Sequence, residues 1–376
     1  MIKKKMTGDI MINQNDFVNP LLKWYDKNKR EMVWRDKNNP YFTWISEIML
    51  QQTRIEAATD YFIRFTEELP DIESLAKVPQ ERLLKLWEGL GYYNRAKNLK
   101  KTAEILVEKY DAKLPEDYDT LLTLPGIGPY TAGAIASIAY GNKAPAVDGN
   151  VLRVMMRYQA CADDISKMTV RREVEQQLME IMPERPGDFN QAIMELGEVV
   201  CIPNGAPLCE VCPLGETCKA RQREEVEKYP VKIEKKPRKI EKRTVIILSQ
   251  NGKYGISKRE EKGLLAGLFE FPSWEGNITK KEIEIGLQEK NISVKKIQSL
   301  GAAKHIFSHI EWHMKGYLVE VEFRAPEQWE DMKKIQFVTS RALQENYSLP
   351  TAFRTYREKI EEIEKILEEK SSPEPL

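Results

Sequence analysis

LLTLPGIGPYTAGAIASIAYGNKAPAVDGN, residues 121–150, is the stretch that decides the fold of this chain. Gly126 and Gly128 flank Ile127 in a tight turn, and Pro129 follows at a position that suits the first turn of a helix. The pattern predicts a helix-hairpin-helix whose backbone N–H groups point outward at a helix N-terminus, where a phosphate can bind. The second helix consists mainly of small residues, which lets a neighbouring helix or a bound strand approach closely.

Asp148, Gly149 and Asn150 close this stretch and precede the apolar segment VLRVMMRYQ. A purely structural explanation exists for each piece. LPGIG can be a simple helix connector, and Asp148 can be only the N-cap of the next helix. Features elsewhere in the chain favour the functional interpretation.

Length and composition bound the class of protein. The chain has 376 residues and a hydrophobic content of 41%, enough for two or three domains with a sizeable core. No apolar run reaches ~18 residues, and the N-terminus lacks the apolar region of a secretion signal. Lysine plus arginine equals aspartate plus glutamate at 58 each, so a polyanion-binding surface must concentrate its charge locally. We expect a monomeric cytoplasmic protein without a membrane partner.

The two halves of the chain differ in hydrophobic pattern. From residue 19 to about 218 the pattern is helical, with helices predicted within 17–30, 43–69, 79–110 and 170–182. After residue 243 it alternates, which predicts strands at 244–250, 254–259, 309–323 and 334–338 and helices at 280–290 and 353–370. We predict an all-α region (10–220), a basic linker (221–243), an α+β domain (244–368) and a disordered tail (369–376).

Four of the five cysteines lie within one short segment, namely Cys201, Cys209, Cys212 and Cys218. Their gaps of seven, two and five residues allow four thiolates to enclose one metal centre. Spacing alone fits a structural zinc site and a 4Fe-4S cluster equally well. Cys161 is interpreted as a buried apolar thiol.

The hairpin LPGIGPYTAGAI, the following VDGNVLR and the four-cysteine loop together resemble the endonuclease III superfamily of base-excision DNA glycosylases. WISEIMLQQT, WEGLGYYNRAKNL, FNQAIMELG, GLLAGLFEFP and HIFSH resemble the branch that removes adenine opposite 8-oxoguanine or guanine in duplex DNA. The resemblance covers most of the chain and implies a bacterial repair enzyme that acts at the nucleoid. It implies a 4Fe-4S cluster on the four cysteines, in a module of about 10–31 and 142–220 beside a six-helix barrel of about 32–141. The first cysteine gap is one residue longer than the family's commonest spacing.

Cleavage of a glycosidic bond needs an acid for the leaving base and a negative charge beside the sugar cation. Glu47 lies among apolar neighbours in WISEIML, which favours its protonated form and makes it the candidate acid, although an exposed glutamate on an amphipathic helix is the alternative. Asp148 at a helix start should stay ionised and is the candidate stabiliser or nucleophile. The resemblance implies that Glu47 acts at adenine N7 and that Tyr130 and Asn150 hold Asp148. Tyr130 occupies the position of the lysine of strand-cleaving relatives, so we expect base removal alone.

The resemblance also implies residues that contact DNA, while each can instead be ordinary core or surface. Gln52 and Tyr92 match positions that enter the duplex as wedges beside the extruded adenine. The hairpin glycines Gly126 and Gly128 correspond to the turn that binds the DNA backbone. A further set of aromatic and polar residues resembles the wall of the family's adenine pocket. The pocket set comprises Arg30, Trp34, Arg35 and Gln191.

The C-terminal half resembles a Nudix domain at GLLAGLFEFPSWEG, but ITKKEIEIGLQEK lacks the glycine and glutamate cluster of the catalytic Nudix box. We therefore expect binding rather than pyrophosphatase activity. Phe307, Ser308 and His309 match the loop that recognises 8-oxoguanine, with Ser308 able to accept from its N7–H. His305, His309 and His313 are spaced by four, but the stretch is interpreted as a loop that enters a strand, so we predict no metal site there.

Overall fold

The computed structural model describes residues 12–35, 39–233, 237–323 and 334–371. The described parts of Met1–Val78 and Lys97–Lys235 form the first compact unit, and those of Pro79–Ala96 and Lys236–Leu376 form the second. A helix of sufficient length and apolarity to span a membrane is not found among these described residues.

The regular secondary structure in the described part of the first unit is helical, as predicted. The predicted helical run 43–69 is two helices, because residues 51–54 form a turn in which Gln52 has a φ of 61°. The run 79–110 is likewise divided, because Gly89 and Gly91 take φ angles of 104° and 70°. The helices up to residue 235 are α1 (Asn19–Asn28), α2 (Pro40–Leu50), α3 (Ile55–Glu68), α4 (Ile72–Lys77), α5 (Gln80–Leu86), α6 (Asn94–Lys109), α7 (Tyr118–Leu122), α8 (Pro129–Ala134), α9 (Gly149–Gln159), α10 (Met168–Glu180), α11 (Pro186–Val199) and α12 (Lys219–Gln222).

The predicted helix-hairpin-helix consists of α7, the LPGIG turn and α8, which continues as a π-helical turn at Ile135–Ala139. Gly126 has a φ of 77°, and a Cβ there would lie 2.6 Å from the Cβ of Asn98, so both conformation and space require glycine. A Cβ on Gly133 would collide with the carbonyl oxygen of Pro145. The small residues of the second helix therefore admit the chain's own backbone.

The core of the first unit packs α1, α10 and α11 around α9, in which residues 151–159 are all buried. Phe17 lies edge-on to Tyr158 and Phe189, with ring centroids 4.9 and 6.2 Å away. This packing fixes the start of α9, where Asp148 lies.

The second unit is an α+β domain, which confirms the predicted class. The elements are β1 (Lys239–Gln250), β2 (Lys253–Lys258), β3 (Phe269–Glu270), β4 (Ser273–Glu275), α13 (Lys280–Gln288), β5 (Ile292–Ile306), β6 (Ile310–Phe323), β7 (Ile335–Val338), α14 (Ser340–Asn346) and α15 (Arg354–Ser371). Its sheet has the order β3-β2-β1-β6-β5, with β4 paired to β1 and β7 to β2, and only the β1–β6 pairing is parallel among the described strands.

Strand β5 has no counterpart in the sequence prediction. Its register shifts between Val294 and Lys296 and again between Ser299 and Gly301, and these irregularities break the alternation by which strands are detected. His305 therefore lies in a strand, and the interpretation of the histidine stretch as a loop is wrong at that position. The β5–β6 hairpin presents residues 307–309 at its turn.

The predicted linker 221–243 is wrong in extent. Arg157 Nε donates to the carbonyl oxygen of Tyr229 at 2.9 Å, and the amide of Ile165 donates to that of Val231 at 3.2 Å. These bonds hold the chain to the first unit as far as Val231, so the predicted linker begins too early. It also ends too late, because β1 already begins at Lys239. At the other end α15 extends through Ser371, so the predicted tail begins too early, and its residues 372–376 lie outside the described part.

The predicted all-α region 10–220 is interrupted in the structure. Residues 79–96, here called the inserted segment, pack with the second unit rather than the first. Ser348 Oγ donates to the carbonyl oxygen of Leu84 at 3.0 Å in a buried contact, and Trp87 is fully buried. Helical periodicity identifies an apolar face but not the element that covers it, which explains the difference.

Candidate active site

Glu47 lies on α2, in which eight of eleven residues are buried. Only 8% of Glu47 is exposed. Burial raises the pKa of Glu47 to about 7, a hydrogen bond from Tyr130 opposes the rise, and the negative charge of Asp148 adds to it. The carboxyl group is therefore able to hold a proton near neutral pH.

Tyr130 is the second residue of α8, and its hydroxyl donates to Glu47 Oε2. The Tyr130 hydroxyl oxygen also lies 3.3 Å from the sulfur of Met194 on α11. The sequence reasoning assigned Tyr130 to Asp148, but the hydrogen bond goes to Glu47 instead. The reason is local, because the Asp148 oxygens are already occupied by groups at the start of α9.

Asp148 is the N-cap of α9, so the structural interpretation of this residue holds alongside the functional one. Its Oδ1 accepts from the amide of Val151 at 2.7 Å, and its Oδ2 accepts from Asn150 Nδ2 at 3.0 Å. Burial raises the pKa of Asp148 above its usual range, and the N–H groups of the cap only partly offset this. The expectation that capping alone would favour the charge omitted the cost of desolvation.

Arg153 connects this cap to the cysteine loop, a role that the sequence reasoning missed. Its Nη2 donates to Asn150 Oδ1 at 2.9 Å and to the carbonyl oxygen of Gly197 at 2.6 Å, while its Nε donates to that of Cys201 at 2.8 Å. The available signal was an arginine three residues after Asn150, about one helical turn away on a helix whose residues 151–159 are all buried.

Arg30 and Arg35 converge on Glu195 of α11, another residue that the sequence reasoning missed. Arg30 Nε lies 2.5 Å from Oε1 and Arg35 Nη2 lies 2.6 Å from Oε2, while Glu195 is 2% exposed. Burial alone would raise the pKa of Glu195, but the hydrogen bonds from both arginines lower it below its usual range. Arg30 also pairs with Glu198 at 2.8 Å.

The other two predicted pocket residues, Trp34 and Gln191, are buried and partly buried, respectively. Trp34 is 8% exposed and packs edge-on to Phe62, with ring centroids 5.4 Å apart, which is the core environment that the sequence reasoning named as the alternative. Gln191 is partly buried on α11, and its Nε2 donates to the carbonyl oxygen of Gly187 at 3.3 Å.

Both predicted wedge residues are exposed in left-handed backbone conformations. Gln52 has a φ of 61° and Tyr92 a φ of 49°, a region that costs energy for residues other than glycine. Tyr92 belongs to the inserted segment, and its hydroxyl lies 3.4 Å from Ser308 Oγ. The structure thus brings together two residues that the sequence assigned to separate tasks.

The loop 307–309 is anchored through its first residue. The Phe307 ring lies 4.8 Å from that of Trp312 and 4.5 Å from that of His305, and its amide donates to the carbonyl oxygen of Ile310 at 2.8 Å. Ser308 and His309 are exposed. Phe307 therefore supports the loop and leaves its two polar residues available.

Cys201, Cys209, Cys212 and Cys218 line one cavity. Arg157 Nη1 lies 3.3 Å from the sulfur of Cys201 as a hydrogen-bond donor. Among the described residues, no three His, Cys, Asp or Glu side chains are grouped to hold a single metal ion. Four thiols around a shared cavity are the donor set that an iron–sulfur cubane requires. The seven-residue gap folds back on α11, since the amide of Leu208 donates to the carbonyl oxygen of Val200 at 2.9 Å.

Comparison with known proteins identifies both parts of the chain. Residues 45–182 match the HhH-GPD superfamily of base excision DNA repair proteins, and residues 243–359 match the NUDIX domain. A solved thermostable thymine-DNA glycosylase is 27% identical, with a TM-score of 0.50 over 55% of this chain and 95% of that chain. The chain thus joins the helical domain of a base excision DNA glycosylase to a Nudix-like second domain.

Curated relatives narrow the class. The adenine DNA glycosylase of Buchnera aphidicola subsp. Acyrthosiphon pisum is 36% identical over 319 residues, which cover 84% of this chain and 90% of that protein. The Homo sapiens adenine DNA glycosylase is 35% identical over 373 residues, covering 82% of this chain and 68% of that protein. The chain belongs to the adenine DNA glycosylase family, which confirms the resemblance found in its sequence.

Proposed function

We propose that this enzyme removes adenine paired with 8-oxoguanine, or with guanine, from duplex DNA in the bacterial cytoplasm. The observation that carries the proposal is the pair of carboxyl groups of Glu47, buried on α2, and Asp148, partly buried at the start of α9. Their environments differ in the way that base removal requires. Glu47 is supported by a phenol and Asp148 by N–H donors.

Glu47 is the general acid of this proposal. A carboxyl group with a pKa near 7 gives its proton to adenine N7 once the base is extruded, so adenine leaves as a neutral base. Tyr130 then donates to the carboxylate that forms. Without its proton, Glu47 is able to accept one from the water that attacks the sugar.

Asp148 is the group that stabilises the sugar cation. Asn150 and the α9 amides orient its carboxylate, and Arg153 holds Asn150 in turn. Because the opposite charge develops only in the transition state, the cost of burying Asp148 is offset when the cation forms. Tyr130 offers no amine at the position where strand-cleaving relatives carry lysine, so the product is an intact strand with an abasic site.

The second unit provides recognition of the opposite base in this proposal. Ser308 accepts from the N7–H of 8-oxoguanine, a proton that guanine lacks, and Tyr92 enters the duplex beside it. Gln52 is the second wedge, and the hairpin amides around Gly126 and Gly128 bind the backbone. Arg30 and Arg35 with Glu195, together with Trp34 and Gln191, form the wall facing the extruded adenine.

A 4Fe-4S cluster on the four cysteine thiolates completes the enzyme. Their common cavity and the Arg157 donor beside Cys201 support this assignment. The cluster would join the four cysteines of the loop 201–218 to one another, and Arg157 of α9 donates to one of them, Cys201. No step of base removal passes through it.

The test is a single-turnover incubation with duplexes that hold adenine opposite 8-oxoguanine, guanine or thymine, followed by alkali to cut abasic sites. We expect release from the first two and strand cleavage only after alkali. Adenine release that survives Asp148→Asn would contradict the mechanism. If Ser308→Ala processes the 8-oxoguanine and guanine duplexes at unchanged rates, the recognition loop is wrongly assigned.

A further inference from the structure

The partly buried carboxylate of Glu88 is one of the groups that join the inserted segment 79–96 to the rest of the second unit. Glu88 Oε2 lies 2.5 Å from Lys85 Nζ, and its Oε1 accepts from Arg357 Nη1 at 3.0 Å and from the amide of Leu349 at 3.2 Å. The Glu88 side chain is 15% exposed. Charge-assisted bonds in such a setting are stronger than those of an exposed ion pair.

Residues on both sides of Glu88, from Trp87 to Arg95, form a compact stack that includes Tyr92. The Arg95 guanidinium lies 5.3 Å from the Trp87 ring centroid and 5.6 Å from that of Tyr92. Arg95 Nη2 donates to the carbonyl oxygens of Leu90 and Gly91 at 3.0 and 3.1 Å, and Trp87 Nε1 donates to that of Gly91 at 3.0 Å. A displacement of Glu88 therefore moves Tyr92 with it.

The start of α15, which carries Arg357, also supports the loop 307–309. Phe353 directly precedes α15, and its ring lies 6.3 Å from that of Trp312, on which Phe307 packs. Arg357 is one helical turn after Phe353. The start of α15 thus holds Glu88 on one side and, through Trp312, the base of the 307–309 loop on the other.

From this geometry we infer that Glu88 is a positioning residue for recognition of the base opposite adenine. It acts through Arg357 to hold the Tyr92 hydroxyl within reach of Ser308, so that wedge and loop meet the duplex as one preformed unit. The inference rests on the proposed function, since it deepens the role given to Ser308. Glu88 itself touches neither DNA nor the reacting atoms.

The experiment compares Glu88→Gln with Glu81→Gln in the full-length, cluster-loaded enzyme. Glu81 is the matched control because it lies in the same segment and pairs with Lys258 at 3.0 Å, but its side chain is 59% exposed. Single-turnover rates are measured for adenine opposite 8-oxoguanine and opposite guanine, and their ratio is the readout. Because small displacements of aligned groups are costly, we expect Glu88→Gln to lower the ratio about tenfold or more, with Glu81→Gln unchanged.

Arg357→Gln approaches the same contact from the other side. We expect it to lower the ratio similarly, and the double variant to lose no more than either single variant, because the residues act as a unit. An unchanged ratio in both single variants would overturn the inference, as would equal losses on the two duplexes, which indicate a merely structural role. A wild-type enzyme without preference for 8-oxoguanine would instead overturn the proposed function.

Discussion

Replacing Glu47 by glutamine should stabilise the protein at high pH while removing its activity. The folded state raises the pKa of Glu47 from 4.5 to about 7 because burial disfavours the charge. Ionisation of a carboxyl group whose pKa is raised in the folded state opposes folding. The stability associated with the neutral form is complete below the unfolded pKa and is lost as pH rises through the window from 4.5 to about 7.

The size of the effect follows from that shift. At 1.36 kcal/mol per unit, the difference corresponds to about 3 kcal/mol in the free energy of unfolding above pH ~8. Glutamine has a similar shape and no charge to desolvate, so Glu47→Gln should regain most of this amount at high pH and little at about pH 4.5.

The assay is urea denaturation of wild type and Glu47→Gln at several pH values, followed by tryptophan fluorescence. Glu67→Gln, an exposed position on α3, is the control and should show a pH-independent difference from wild type. Single-turnover adenine removal is measured on the same preparations and should be lost only in Glu47→Gln. A Glu47→Gln protein that is less stable than wild type at high pH, or whose stability difference does not change with pH, would refute the reasoning.

Three further predictions follow from individual contacts. Tyr130→Phe removes the hydrogen bond that lowers the pKa of Glu47, so the pH at which the adenine-removal rate falls should rise by about one unit. The control Tyr140→Phe loses a bond to the Leu114 carbonyl and should leave the pH profile unchanged. Glu195→Gln removes the buried charge between two arginines and should lower the free energy of unfolding by about 3 kcal/mol. Glu198 is the exposed partner of Arg30, and Glu198→Gln should lower it by less than ~1 kcal/mol. Equal losses in the two variants would contradict the role of burial. Cys212→Ser should reduce iron and acid-labile sulfide in the purified protein together with its visible absorbance, whereas zinc in the wild type would contradict the cluster.

The sequence was sufficient for the two-domain architecture because its strongest local signals coincide with the fold. The hairpin requires a left-handed glycine at Gly126, and helices run through the first half with breaks such as the turn at 51–54 and the glycine turn at 89–91. Of the two carboxyl groups that the motifs single out, Glu47 is buried on α2 and Asp148 is a partly buried N-cap. These signals are local, so they survive without knowledge of tertiary contacts.

Contacts between distant segments were not predictable in the same way. Nothing in KREMVWRD indicates that both of its arginines bind Glu195, which lies 160 residues further along the chain from Arg35. Tyr130 could reach either carboxylate until the capping of Asp148 was known. The inserted segment carries an ordinary amphipathic pattern, and only tertiary packing assigns it to the second unit.

Glu47 and Glu195 are both buried glutamates of the first unit, yet burial leaves their pKa values shifted in opposite directions. The difference lies in their partners, since Glu195 has two guanidinium groups and Glu47 has one phenol. Arg35 also lowers the pKa of Glu47, but its charge is largely compensated by the salt bridge to Glu195. Glu195 thereby helps Glu47 to keep its proton. In Glu195→Gln the charge of Arg35 is uncompensated, so the pH at which adenine removal falls should move downward, opposite to the shift in Tyr130→Phe. A profile that stays in place or moves upward would show that Glu195 stabilises the fold without acting on the acid.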